Sequence, residues 1–145
     1  PDHNFAHPAL SADGSTLYFI ADVKGTKGKS DLYKVSVSGH KNYGEITKLN
    51  ETINSSRTEI FPFISVDNKL YFSSDRRGGK GGLDIYSYDL NSSDKAQEPI
   101  SLNMPINSRG DDFSFFVNED LTTGYLSSRR LKGKGGDDLY YFFQF

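Results

Sequence analysis

The chain repeats itself with a period of about 53 residues, and that period limits its fold more than any single motif does. Tyr18-Phe19, Tyr71-Phe72 and Tyr125-Leu126 fall 53 and 54 residues apart. Thirteen residues after each tyrosine stands an aspartate: Asp31, Asp84 and Asp138. Each aspartate is followed by an aliphatic residue and a tyrosine, as Leu32-Tyr33, Ile85-Tyr86 and Leu139-Tyr140. The loops between are equal in length and rich in glycine and lysine, reading VKGTKGKS, RRGGKGGL and RLKGKGGD. A second element precedes the last two units. Leu49-Asn50 with Ile53-Asn54-Ser55 returns 53 residues later as Leu102-Asn103 with Ile106-Asn107-Ser108.

Within each unit the apolar residues come in short runs bounded by turn residues, which is the pattern of strands. The first unit predicts strands over 7–11, 17–21, 32–37 and 45–49, with residues 1–4 as a connector and Asp13-Gly14 as a hairpin turn. The run 17–21 is apolar throughout, so it should be buried on both faces. The second unit predicts strands near 60–66, 69–74, 83–89 and 98–102, and the third near 112–118, 123–128 and 137–143. No segment carries helical periodicity. Four short antiparallel strands per unit of this length is the signature of a propeller blade. One four-stranded sheet has two apolar faces, which only neighbouring sheets can cover. The expected fold is therefore all-β, a partial β-propeller with blades at about 5–49, 60–102 and 112–145, the last lacking its outer strand. Propellers close with about four to eight blades, so three leave open faces. Further blades of a longer protein are expected to cover them, ahead of a second copy or a capping partner. The opening residue Pro1, where a Met would start a gene product, fits that expectation.

Composition narrows the function classes. The 145 residues suit one domain. A net charge of −2 gives no overall field for nucleic acid or an anionic membrane. No apolar run approaches the roughly 18 residues of a membrane helix, and no leader or lipid-attachment segment is evident. Cysteine is absent, which removes disulfides and thiolate metal sites.

Several short motifs have plainer readings in the repeat. Gly28-Lys29-Ser30 ends like a phosphate-binding loop, but position 23 is Val23 where that motif needs glycine, and a strand should follow instead of a helix. Gly78 to Asp84 is similar to a calcium-binding nonapeptide, yet its sixth residue is Leu83 and the period is wrong. The recurring aspartates are better placed to accept hydrogen bonds from loop N–H groups and lock each loop to its blade. Arg109-Gly110-Asp111 spells an adhesion tripeptide that its counterpart Ser56-Arg57-Thr58 does not share. Asn50, Asn54 and Asn91 fit the glycosylation pattern, and Asn50 and Asn54 read as turn residues. His3 and His7 have no helix to align them on a metal. The carboxylates recur once per unit, whereas a catalytic pair would occur once. No enzyme activity, cofactor or metal is expected. The best binding candidates are the basic loop residues Arg76, Arg77 and Lys80 with Arg129, Arg130, Lys132 and Lys134, joined by Lys24, Lys27 and Lys29 in the first loop. Ring geometry would bring them to one face, suited to an acidic protein surface or an anionic glycan.

The run Pro62-Phe63-Ile64-Ser65-x-Asp67-Asn68-x-Leu70-Tyr71-Phe72-Ser73-Ser74-Asp75-Arg76, then glycines, then Asp84-Ile85-Tyr86, resembles the TolB-type, WD-like β-propeller repeat. The Gly-Gly-x-Gly-Gly loop and the Leu-Asn-x-x-Ile-Asn-Ser element resemble more narrowly the OmpA-family, peptidoglycan-associated lipoproteins of Bacteroidota, one branch of which serves type IX secretion. The resemblance implies a periplasmic, outer-membrane-associated scaffold. Its implied partners are other envelope or secretion-complex proteins, with peptidoglycan reached only indirectly, since no peptidoglycan-binding segment lies in these residues. The alternatives are a carbohydrate-binding or hydrolase-associated propeller and a TolB-like partner-binding module. The sequence departs from the pattern at Phe115-Phe116-Val117-Asn118, at the Asp120-Leu121 turn, and at Asp22-Val23-Lys24 where the other loops carry arginines.

Overall fold

The computed structural model describes residues 3–23 and 29–144, which form eleven β-strands and no helix. The first sheet holds β1 (Asn4–Leu10), β2 (Thr16–Asp22), β3 (Asp31–Ser36) and β4 (Thr47–Lys48) in chain order. The second repeats it with β5 (Glu59–Ile64), β6 (Lys69–Ser74), β7 (Asp84–Asp89) and β8 (Ile100–Ser101). The third has β9 (Asp112–Val117), β10 (Thr123–Ser128) and β11 (Asp138–Phe143). All named pairings are antiparallel. The fold is a partial β-propeller with two four-stranded blades and three strands of another.

The hairpins close the same way in each blade. Gly14, Asn68 and Leu121 all take a left-handed φ of +57° to +72°. Their N–H groups donate to Ser11, Ser65 and Asn118 carbonyls at 2.9 Å. Asp13 and Asp120 tighten two of these turns. Asp13 accepts from Ser15 N–H at 3.0 Å, and Asp120 from Thr122 and Thr123 N–H at 2.8 and 2.9 Å.

The sheets stack through alternate residues. On β2, Tyr18 and Ile20 face the second sheet, where they meet Ile64, Leu70, Phe72, Tyr86 and Tyr88. Phe19 and Ala21 join Val35 in a separate cluster. The strand is thus buried on both faces, as its unbroken apolar run implies. Ile85 belongs to the cluster of the second and third sheets, with Phe115, Val117, Leu126 and Phe142. Leu49, Ile53 and Ile106, from the segments that cross between sheets, fill these same layers.

Two strand expectations need correction. β1 begins at Asn4, not 7, because Asn4, Phe5 and Ala6 pair with Asp22, Ala21 and Ile20 before the strand bulges. β4 and β8 have two residues each rather than five. An asparagine side chain takes over where their backbone ladder stops.

Candidate functional site

The glycine-rich loops are held from below by the repeat aspartates. Asp84 is buried, and its Oδ2 accepts from Lys80 N–H at 2.8 Å and Gly81 N–H at 2.9 Å. Asp138 Oδ2 repeats this with Lys134 N–H at 2.8 Å and Gly135 N–H at 3.2 Å. Glycine is needed where the loop crosses the carboxylate. A Cβ on Gly79 would stand 2.1 Å from Asp84 Oδ2, and one on Gly133 would stand 2.0 Å from Asp138 Oδ2. Asp31 is also buried and pairs with Lys48 Nζ at 2.8 Å. Of the repeat tyrosines, Tyr18 is buried, Tyr71 is half-buried against Phe115 at 4.8 Å, and Tyr125 is 42% exposed.

The basic residues of these loops divide into two groups, which corrects the expectation of one uniform basic face. Arg76 turns inward. Its guanidinium pairs with the fully buried Glu59 at 3.0 Å, donates to the Thr52 carbonyl at 2.9 Å and to the Ile53 carbonyl, and lies over the Phe72 and Tyr86 rings. Arg130 does the same one unit later. It pairs with buried Asp112 at 2.9 Å, donates to the Pro105 and Ile106 carbonyls at 2.9 and 2.8 Å, and lies 4.6 Å over Tyr140. Ser74 and Ser128 hydroxyls complete the two carboxylate shells at 3.0 and 2.5 Å. The carbonyls they engage belong to the crossing segments, so each arginine fastens one blade to the chain leaving the blade before. A guanidinium is suited to this because its planar fork can serve a carboxylate and two carbonyls together. The first unit has Ala21 and Val23 at the matching positions and lacks the device.

Arg77, Lys80, Lys132 and Lys134 are exposed on the loops, as is Lys29 on the first. Arg129 is exposed but tied to Asp137, with Asp111 3.7 Å away. Lys24 and Lys27 lie outside the described residues. The loops of the second and third units share one edge through Arg109-Gly110-Asp111. Asp111 Oδ1 accepts from Leu83 N–H at 2.9 Å, and its carbonyl accepts from Arg129 N–H at 2.8 Å. A Cβ on Gly110 would meet the Arg129 carbonyl oxygen at 2.6 Å. The adhesion tripeptide is thus an internal tie between blades.

Asn54 does close a turn, its N–H donating to the Asn50 carbonyl at 2.9 Å, but its buried side chain has a second role that the turn reading missed. Its Oδ1 accepts from Leu32 N–H at 2.7 Å, and its Nδ2 donates to the Leu32 and Leu49 carbonyls at 2.9 and 3.0 Å. Asn107 repeats the clamp on Ile85 and Leu102. The recurrence of the asparagines signalled importance, but their spacing alone did not say that an amide would act as a piece of outer strand. Asn50 does cap a turn, accepting from Ile53 N–H at 3.0 Å. Gly28 lies outside the described residues, and β3 follows it. His7 stacks on Phe61 at 4.0 Å, and its Nδ1 accepts from Phe61 N–H at 3.2 Å. Burial holds its pKa below the ordinary histidine value. Among the described residues, no group of three His, Cys, Asp or Glu side chains converges as a metal site would need.

No protein-family model matches the sequence, and no curated protein sequence matches it. Among solved structures, the crystal structure of TolB from Acinetobacter baumannii is similar over 93% of this chain, with a TM-score of 0.64 and 17% identity. The chain spans 29% of that chain's length. At that identity the likeness establishes the propeller fold and nothing further.

Proposed function

We propose that the chain, with blades at about 5–49, 60–102 and 112–145, is part of a partner-binding propeller that acts without catalysis in the bacterial periplasm. The observation that carries this reading is the anchoring of the glycine-rich loops. Buried Asp84 and half-buried Asp138 fix the loop backbones, and the Arg109–Asp111 segment joins them along one edge. Arg77, Lys80, Lys132 and Lys134 stand exposed on that edge. A rigid basic surface on a slightly acidic chain favours an acidic protein partner, because it attracts such a partner locally. Pre-ordered loops also lose little entropy on binding.

The finer reading rests on the motif resemblance. It makes the partners envelope or secretion-complex proteins at the outer membrane, in the manner of the Bacteroidota OmpA-family lipoproteins and their type IX secretion branch, with peptidoglycan engaged only indirectly. Among the described residues there is no helix long and apolar enough to cross a membrane. The test is recovery of partners from envelope extracts by the wild-type protein and by a variant carrying Arg77→Glu, Lys80→Glu, Lys132→Glu and Lys134→Glu. Loss of an envelope protein that returns to the wild type at low salt is the expected result. Equal recovery by both proteins, or retention of glycan alone, would overturn the reading.

A further inference from the structure

Two turn tips depart from the repeat, and they lie at opposite ends of the blades. The first is Leu131. Gly133 N–H donates to the Arg130 carbonyl at 3.4 Å and Lys132 takes a left-handed φ of +73°, so Leu131 sits at the corner of a closed turn. Both ends of that turn are pinned, one by the Arg130 guanidinium on buried Asp112 and the other by Asp138, which accepts from Lys134 N–H. Leu131 is 87% exposed, the most of any large apolar side chain among the described residues, and exposed Lys132 and Lys134 flank it. The second unit has Arg77 at this position, exposed although the third sheet follows it. A following sheet thus leaves the position open, and the fold asks for no leucine there.

The second tip is Val66, in the turn between β5 and β6. It is 48% exposed, and its counterparts are Ala12 and Glu119, so the turn itself does not require an apolar residue. Val66 lines a cleft of about 450 Å³ with Ala12, Phe63, Phe116, Val117 and Glu119, between the second and third sheets. Carboxylates edge the cleft. Glu119 lines it, Asp13 follows Ala12, and Asp120 follows Glu119, all three exposed. Lys69, three residues beyond Val66, is paired with Asp67 at 2.9 Å. β10 runs from Thr123 at the cleft end to Ser128 at the Leu131 end, so the two tips face opposite ways.

We infer that the chain associates head to tail with a second copy, the Leu131 turn of one molecule seated in the Val66 cleft of the next. Shape and charge both argue for this occupant. Seating the leucine against Val66 and Phe116 removes apolar surface on both sides from water. Lys132 and Lys134 arrive with it and meet the carboxylates of Glu119, Asp13 and Asp120. The turn is held in shape before contact, so little entropy is lost in docking it. The second loop carries Arg77 in place of the leucine, which makes the contact specific to the third. Because the two patches differ and lie on opposite faces, the contact is heterologous and leaves each end of a pair free to add a copy. It uses Lys132 and Lys134 of the proposed basic surface but does not depend on an envelope partner.

Sedimentation velocity of the purified protein over a concentration series tests it. A contact this small is weak, so a dissociation constant on the order of 100 µM is expected, rising with salt. Leu131→Asp and Val66→Asp should each weaken self-association by about tenfold or more. Both replace exposed turn residues, and thermal melts check that each variant is folded. Should Val66→Asp melt early, Glu119→Lys takes its place. Mixed together, the Leu131 and cleft variants should form a one-to-one pair, since each keeps the patch that the other lacks. A wild type that stays monomeric, association that survives either substitution, or variants that fail to pair when mixed would overturn the inference. A monomer that still recovers an envelope protein through its basic loops overturns this inference alone and leaves the proposed function standing.

Discussion

Glu59 has no exposed surface, and its charge is tolerated only because its partners surround it. Arg76, Ser74 and Ser55 all donate to that carboxylate. Truncating Arg76 would leave a buried charge with hydroxyls and an amide alone, at a cost of about 3–5 kcal/mol. Arg76→Met should lower the denaturation midpoint accordingly. The double variant Glu59→Gln, Arg76→Met should recover much of the loss, since the uncompensated charge is gone. A double-mutant cycle by urea unfolding checks both. Steric demands give a second prediction. A Cβ on Gly81 would lie 2.0 Å from the Gly110 carbonyl oxygen, whereas one on Gly136 meets nothing within 4 Å. Gly81→Ala should therefore cost about 2 kcal/mol or more while Gly136→Ala changes stability by less than about 0.5 kcal/mol, measured by thermal melts. At this scale the sequence was legible where a residue type has one common job. Asp84 and Asp138 were readable as loop anchors because a recurring carboxylate beside glycine-rich backbone is placed to accept hydrogen bonds from the loop N–H groups. Arg76 and Arg130 were not, since a charged residue beside a glycine loop reads as solvated. Their burial depends on carbonyls from residues 52 and 53, or 105 and 106, more than twenty positions away.

Along the strands, the innermost one of each blade carries a kink that apolar patterning does not signal. His7, Phe61 and Ser114 all have φ between +51° and +54°, and each falls where the ladder register shifts. These are bulges, in which an extra residue on β1, β5 or β9 stands against its partner strand. Glycine or asparagine would have announced them, but the three positions carry histidine, phenylalanine and serine. The rings repay the strain in part, with His7 stacked on Phe61 and Phe61 on Phe113 at 5.5 Å. Ser114 has no ring, so it isolates the backbone term. Ser114→Gly should be neutral or stabilising by up to about 1 kcal/mol, and Ser114→Val should destabilise by about 1–2 kcal/mol. Guanidinium unfolding of the pair decides it. The hairpin ends carry the pH dependence. Asp13 is held near a pKa of about 2 mainly by the Ser11 hydroxyl, and Asp120 near about 2 mainly by Thr122 N–H, against an ordinary value of 3.8. A depressed carboxylate contributes stability above its unfolded pKa and loses it as pH falls through the folded one. The melting-temperature gap between wild type and an Asp13→Ala, Asp120→Ala variant should thus be full above about pH 5 and close by about pH 2.

Over the whole molecule, identical repeat positions meet different neighbours, and only stacking separates them. Ile85 and Leu139 are equivalent in the repeat, as are Tyr71 and Tyr125, and each pair sits at one register in its hairpin. Ile85 is fully buried and Tyr71 packs on Phe115, because a third sheet follows the second. Leu139 and Tyr125 are exposed because no described sheet follows the third. The period told that sheets would stack and that a short array would end in open faces. It could not tell which side chains would be left outside, since the repeat gives every unit the same apolar pattern. The contrast makes a matched experiment. Ile85→Lys places an ammonium inside a packed layer and should cost about 4 kcal/mol or unfold the chain, whereas Leu139→Lys should change stability by less than about 0.5 kcal/mol. Both are read by urea unfolding of the purified protein. If Leu139→Lys proves nearly as costly as Ile85→Lys, the third sheet is already covered in solution, and the size of the wild-type particle by light scattering will say whether a second copy is the cover. If the two differ as expected, nothing covers Leu139 in the purified 145-residue protein, and the cost of its substitution appears only when another strand or sheet is laid against that face.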